Sequence, residues 1–276
     1  QLLPAGTAVL LVHALNPYGF AWLRRANEDN VDLNRNFVDW SGDLPANDPY
    51  DALHHALVPT QSGGSVRQEA DGTIREFVQR EGLQKFQDTL TLGQYTCPDG
   101  LFYGGAAPAW SNRLLQRLAA DNLSFAKNIA LLDIHSGLGP YGYGQVFSFD
   151  EAGSDSLDRA KRWVGASLAT PRTGSALSSD LNGTLYDGLR RLLPARNVTA
   201  MGIEFGTYPA MEAVEVLRTE AMLSREANGL TAELSEARSR LRDFFDVRSD
   251  DWRELVLFRG RQVIRQVFRG LTTERE

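Results

Sequence analysis

Three short apolar runs constrain this chain more than any other feature. Residues 7–15 (TAVLLVHAL), 129–134 (IALLDI) and 198–205 (VTAMGIEF) are almost continuously apolar, the pattern of strands covered on both faces. Segments with helical spacing lie between them, at 48–58, 74–90, 110–122, 157–168 and 181–193, with Ser111 as the expected cap of the third. Residues 145–149 alternate weakly as a further strand, and 98–108 (PDGLFYGGAAP) read as a glycine-rich loop. From residue 210 onward, apolar residues recur at three- and four-residue steps through Leu217, Leu223, Leu230, Leu241 and the stretch 256–267, as in covering helices. Alternating strands and helices predict an α/β fold with a mixed, mainly parallel sheet between two helical layers. No internal repeat or long linker divides the chain, so residues 1–276 are expected to form one domain, with 210–276 as its C-terminal covering helices.

Composition removes several classes of function. The longest apolar run, residues 8–12, is far short of the roughly 18 residues needed to span a bilayer. With 35 acidic against 29 basic residues the net charge is −6, which offers no general attraction to nucleic acid or anionic lipid. Cys97 is the only cysteine, so an intrachain disulfide and a cysteine-based metal cluster are both ruled out, and a reducing, cytoplasmic setting is the default. Lysine occurs only at 85, 127 and 161, so nearly all basic residues are arginines and a single arginine is a weak signal.

The polar residues at the ends of the apolar runs carry the chemistry. In open α/β sheets, sites form at the carboxyl ends of strands. Here those ends lead to the loop 16–40, to His135 and to Glu204. Glu204 interrupts an apolar run, where a carboxylate must be paired, metal-linked or functional unless it turns to solvent. His135, taken alone, reads as a hydrogen-bonded structural residue more readily than as a metal ligand.

The loop contains NPYGF at 16–20, RAN at 25–27 and DLNRNF at 32–37, in that order. With DIHSG at 133–137 and GIEFGT at 202–207, it resembles the zinc metallocarboxypeptidases of the carboxypeptidase A type. HALNPYGFAW and LFYGG narrow the similarity to a bacterial branch of that superfamily. The resemblance implies a zinc cofactor with His135 as a ligand and Glu204 as the general base that takes a proton from water. It makes Arg25 the residue that steadies the oxyanion, with Arg24 as rival, and gives the substrate's free carboxylate to Asn34 and Arg35. Asp32 would orient a zinc-binding histidine. The implied activity is hydrolysis of an amide next to a free carboxylate in a peptide. An N-acyl amino acid deacylase and a non-catalytic carboxylate-binding module are the alternatives.

The chain departs from that family in one respect. The H-x-x-E motif that supplies the family's other two zinc ligands follows none of His13, His54, His55 or His135. Because the family carries it before the strand expected at 7–15, the chain reads as N-terminally truncated, with the first strand or strands of its sheet absent. Such a chain is expected to bind zinc weakly and to hydrolyse little. Residues 137–142 (GLGPYG) match G-x-G-x-x-G, but Pro140 and the strand-like QVFSF that follows oppose a dinucleotide site. Tyr186 lies upstream of Glu204 in an expected helix and receives no role.

Overall fold

A computed structural model of the chain describes residues 3, 5–170 and 181–274. Three strands form one sheet: β1 (Asn128–Tyr141), β2 (Gly144–Phe147) and β3 (Asn197–Gly206). Their spatial order is β1-β3-β2, with β1 parallel and β2 antiparallel to the central β3. The fold is α/β with a mixed sheet, and one of its two strand pairings is parallel.

Helices cover both faces. Met201, Ile203 and Phe205 of β3 point to the face packed against Leu157 and Trp163 of α6 (Asp155–Val164) and Val263 and Val267 of α10 (Asp250–Thr273). Val198 and Ala200 point the other way, toward Ala119 of α5 (Trp110–Leu123) and Tyr186 and Leu189 of α7 (Leu185–Leu192). This alternation is the period-two geometry of a strand, and it explains why the runs in β1 and β3 are apolar at almost every position. A separate helical cluster joins α2 (Asp48–Leu57), α3 (Gly64–Glu81), α4 (Leu83–Thr91), α8 (Ala210–Glu226) and α9 (Ala232–Phe245) around Tyr50, Phe86, Met222 and Phe244.

Four local expectations are corrected. Residues 7–15 form no strand: no described strand pairs with them, and Leu11 is 87% exposed. An apolar run signals the burial that a strand needs, but without a neighbour to complete the ladder it stays irregular. The helix expected at 74–90 is two helices, broken at Gly82, whose φ of +90° lies outside helical space. Ser111 sits inside α5, and the residue before that helix is Ala109, which makes no side-chain cap. β1 does not end at His135 but continues to Tyr141, with its register broken between Gly137 and Tyr141. No helix follows the glycines there; β2 does, so the amides that a dinucleotide phosphate would require are not assembled. The expectation about the start of the chain at Gln1 falls outside the described residues.

Gly202 of β3 shows how tightly the sheet meets its helical cover. It pairs with Phe147 of β2, and a Cβ at this position would collide with the Phe147 ring and the Tyr186 hydroxyl. Gly202→Ala is expected to lower the unfolding free energy by about 1–3 kcal/mol in urea titrations, as overpacking of a dense interior does. An unchanged midpoint would mean that Phe147 and Tyr186 are loosely seated.

Candidate active site

The loop that carries the RAN and DLNRNF motifs is held rigid from within. Asn16 caps α1 (Pro17–Trp22) by accepting from the Gly19 amide at 2.9 Å, and its side-chain amide donates to the Arg25 carbonyl at 3.2 Å. Asn27 Oδ1 accepts from the amides of Asp29 and Val31 at 3.0 and 2.7 Å, and Asn30 Nδ2 donates to the carbonyls of Pro98 and Gly100. Arg24 turns into the protein and pairs with buried Glu220 of α8 at 2.6 Å. Arg238 of α9 reaches the same carboxylate at 3.3 Å. Arg24 is therefore a structural residue, and Arg25 is the arginine left at the site.

Arg25 donates through Nε to Asp32 Oδ2 at 2.9 Å and lies over the Phe102 ring, 4.9 Å from its centroid. Its side chain is 35% exposed, and no hydrogen bond from its terminal nitrogens occurs among the described residues. Asp32 also accepts from the Asn34 amide at 3.0 Å and opens the single 3-10 turn Leu33–Arg35. Burial pushes its carboxyl pKa up, but Arg25 and Arg35 outweigh that and hold it below the ordinary value.

Asn34 and Arg35 are turned into the fold. Asn34 Oδ1 accepts from the Leu185 amide at 3.0 Å and so ties the loop to the first turn of α7. Arg35 is 2% exposed. It donates through Nε and Nη2 to the Thr91 carbonyl at 2.9 and 2.6 Å, and through Nη1 to the Asn34 carbonyl at 2.7 Å. Burial lowers its pKa to about 10, partly offset by Asp32, so the guanidinium stays charged at neutral pH. As placed, its fork grips backbone carbonyls.

The strand ends supply the titratable groups. His135 of β1 and Glu204 of β3 are direct partners in the parallel register, so both face the α7 side of the sheet. Asp133 lies two residues before His135 and shares that face. His135 Nε2 is 2.8 Å from Asp133 Oδ2 and 3.3 Å from the hydroxyl of Tyr186, which is 1% exposed. The side chains of His135 and Asp133 keep 28% and 26% of their surface accessible, so the pair is not sealed from solvent. Glu204 Oε1 accepts from the Leu138 amide at 3.0 Å.

Electrostatics link these groups. Burial raises the Glu204 pKa, although His135, the Leu138 amide and Arg25 act against the shift. Burial also pulls His135 down, but Asp133, assisted by Glu204, outweighs it and raises the imidazole. For Asp133, burial acts upward and His135 more strongly downward, leaving the carboxyl low. Arg25 acts on both His135 and Glu204, which places the loop arginine within electrostatic reach of the two strand residues.

A catalytic zinc takes three protein ligands. Among the described residues no three His, Cys, Asp or Glu side chains meet in a way that could hold a metal. The described residues do not by themselves fit a complete zinc centre. Sequence reasoning passed over Asp133 and Glu220 and gave Tyr186 no role. The D-x-H spacing within a strand was the available signal for Asp133, since residues two apart share a face. Nothing local marked the other two.

A family model described as a protein of unknown function (DUF2817) matches residues 1–259. The chain belongs to this family. The match takes in the whole sheet and every site residue above, and ends within α10. No curated protein and no solved structure matches the chain.

Two measurements probe this geometry. Arg35→Ala is expected to cost about 3 kcal/mol of stability in urea unfolding, because it leaves the Thr91 carbonyl without its buried, charged donor. Retained stability would show that Arg35 is free to serve a ligand. The folded pKa of Asp32 lies below its ordinary 3.8, so its contribution is complete above that value and is lost as the pH falls through the folded pKa. The stability gap between wild type and Asp32→Asn should accordingly stay constant above about pH 5 and narrow as the pH falls below 3.8. A gap that persists in acid would contradict the ion pairing.

Proposed function

We propose that this protein is a hydrolase that cleaves an amide bond next to a free carboxylate, in the manner of a metallocarboxypeptidase. The observation that carries this reading is the meeting of two motifs far apart in sequence: Glu204 stands beside His135 across two parallel strands. Glu204, with its pKa raised by burial, takes a proton from the attacking water. Arg25, anchored through Nε to Asp32, directs its remaining donors at the carbonyl oxygen as negative charge develops there. Asn34 and Arg35 complete the proposal as the carboxylate anchor, a role that requires Arg35 to release the Thr91 carbonyl. Zinc belongs to the reading through His135 alone, and no step here is routed through it.

The substrate is a peptide, or in the alternative an N-acyl amino acid. No nucleic acid or membrane partner enters the reading, and no described helix is long and apolar enough to cross a membrane. We assign the protein to the cytoplasm on its single cysteine.

The test is a substrate panel of C-terminally free peptides and N-acyl amino acids, applied to the protein supplied with zinc. Release of the C-terminal residue from peptides is expected, with Glu204→Gln lowering kcat at least about 100-fold while substrate binding is retained. Turnover that survives Glu204→Gln would refute the general base. Hydrolysis restricted to N-acyl amino acids would make the protein a deacylase, and saturable binding without turnover would make it a carboxylate-binding module.

A further inference from the structure

The hydrolase reading gives no part to two groups that touch His135. Asp133 Oδ2 lies 2.8 Å from Nε2, and the Tyr186 hydroxyl lies 3.3 Å from the same nitrogen. A third observation shows that the space is shaped for them. Asp133 pairs in register with Gly202 of β3, and a Cβ on Gly202 would collide with the Tyr186 hydroxyl. The glycine opposite Asp133 thus leaves room for Tyr186 to reach into the sheet.

An ionised carboxylate can only accept a hydrogen bond, whereas a neutral imidazole has one donor and one acceptor nitrogen. The ring nitrogen facing Asp133 must then be the donor, and the lone pair falls to the other nitrogen. No hydrogen bond to Nδ1 of His135 occurs among the described residues.

We propose that Asp133 is a positioning residue, steadied by Tyr186, which holds the proton of the neutral His135 ring on Nε2 and leaves the lone pair on Nδ1. The inference rests on the reading of His135 as part of the reacting site, and it concerns which atom of the ring that site receives. Nδ1 becomes the basic atom without any rearrangement of the ring, because the donor side is already occupied.

The tautomer can be read without turnover. Long-range proton–nitrogen correlation spectra of the chain labelled with nitrogen-15 histidine, recorded on the alkaline side of the His135 titration, distinguish the two ring nitrogens. The His135 signal is identified by its loss in His135→Gln. A single tautomer protonated on Nε2 is expected. Asp133→Asn should bring up the Nδ1-protonated form, because an amide can turn either a donor or an acceptor to the ring, and Tyr186→Phe should do so to a smaller extent. In assays of any hydrolysis found with the substrate panel, Asp133→Asn should lower kcat about 10- to 100-fold with KM little changed.

A wild-type ring protonated on Nδ1, or an even mixture, overturns the proposal. So does an Asp133→Asn spectrum identical to wild type. Should Asp133→Asn fail to fold, the wild-type and Tyr186→Phe spectra still decide. An Nε2-protonated ring in a protein that hydrolyses nothing would remove the hydrolase reading and leave this one standing. Hydrolysis with an Nδ1-protonated ring would do the reverse.

Discussion

The arrangement depends on a polar hub buried beneath the loop. Asn36 is completely enclosed, yet every side-chain valence is met: Nδ2 donates to the carbonyls of Gly104 and Ala107, and Oδ1 accepts from the Ala109 amide and Asn112. Its neighbours behave alike. Asp32 binds Arg25 and the Asn34 amide, Asn34 binds the start of α7, and Arg35 binds the last turn of α4. An unsatisfied polar group in such a place costs about 1–3 kcal/mol, so the segment is held to one conformation by the penalty for leaving it. Through Asn34 the hub also seats the helix that delivers Tyr186 to His135.

Opposite the hub, the sheet sets the second half of the site. Parallel pairing brings His135 and Glu204 side by side, and the same period of two puts Asp133 beneath His135 and Gly202 beneath Glu204. The low-dielectric setting makes each charge felt by the others. Burial moves Glu204 toward protonation while His135 and Arg25 resist, and Asp133 reverses the effect of burial on His135. Neighbouring carboxylates thus differ in their readiness to hold a proton.

Much of the fold was legible where one signal sufficed. The apolar runs at 129–134 and 198–205 became β1 and β3 because each lies between helical layers. The run at 7–15 carried the same signal and formed no strand, since apolarity says nothing about a neighbour with which to share hydrogen bonds. The helix expected at 74–90 was misread at Gly82, where a single positive φ outweighs the helical period on either side. In the loop, the resemblance favoured Arg25 and kept Arg24 as its rival. Glu220, nearly two hundred residues away, makes the choice by drawing Arg24 inward.

The sequence by itself determined the α/β class and the residues able to do acid–base work, because periodicity and residue chemistry are local properties. Only the tertiary structure decided which of them meet: that Glu204 stands beside His135, that Asp133 and Tyr186 close on its Nε2, and that Arg35 grips a backbone carbonyl. Those outcomes rest on strand register and on helices packed from distant parts of the chain. Hydrogen bonds and burial act through space, and a linear pattern carries no record of such distances.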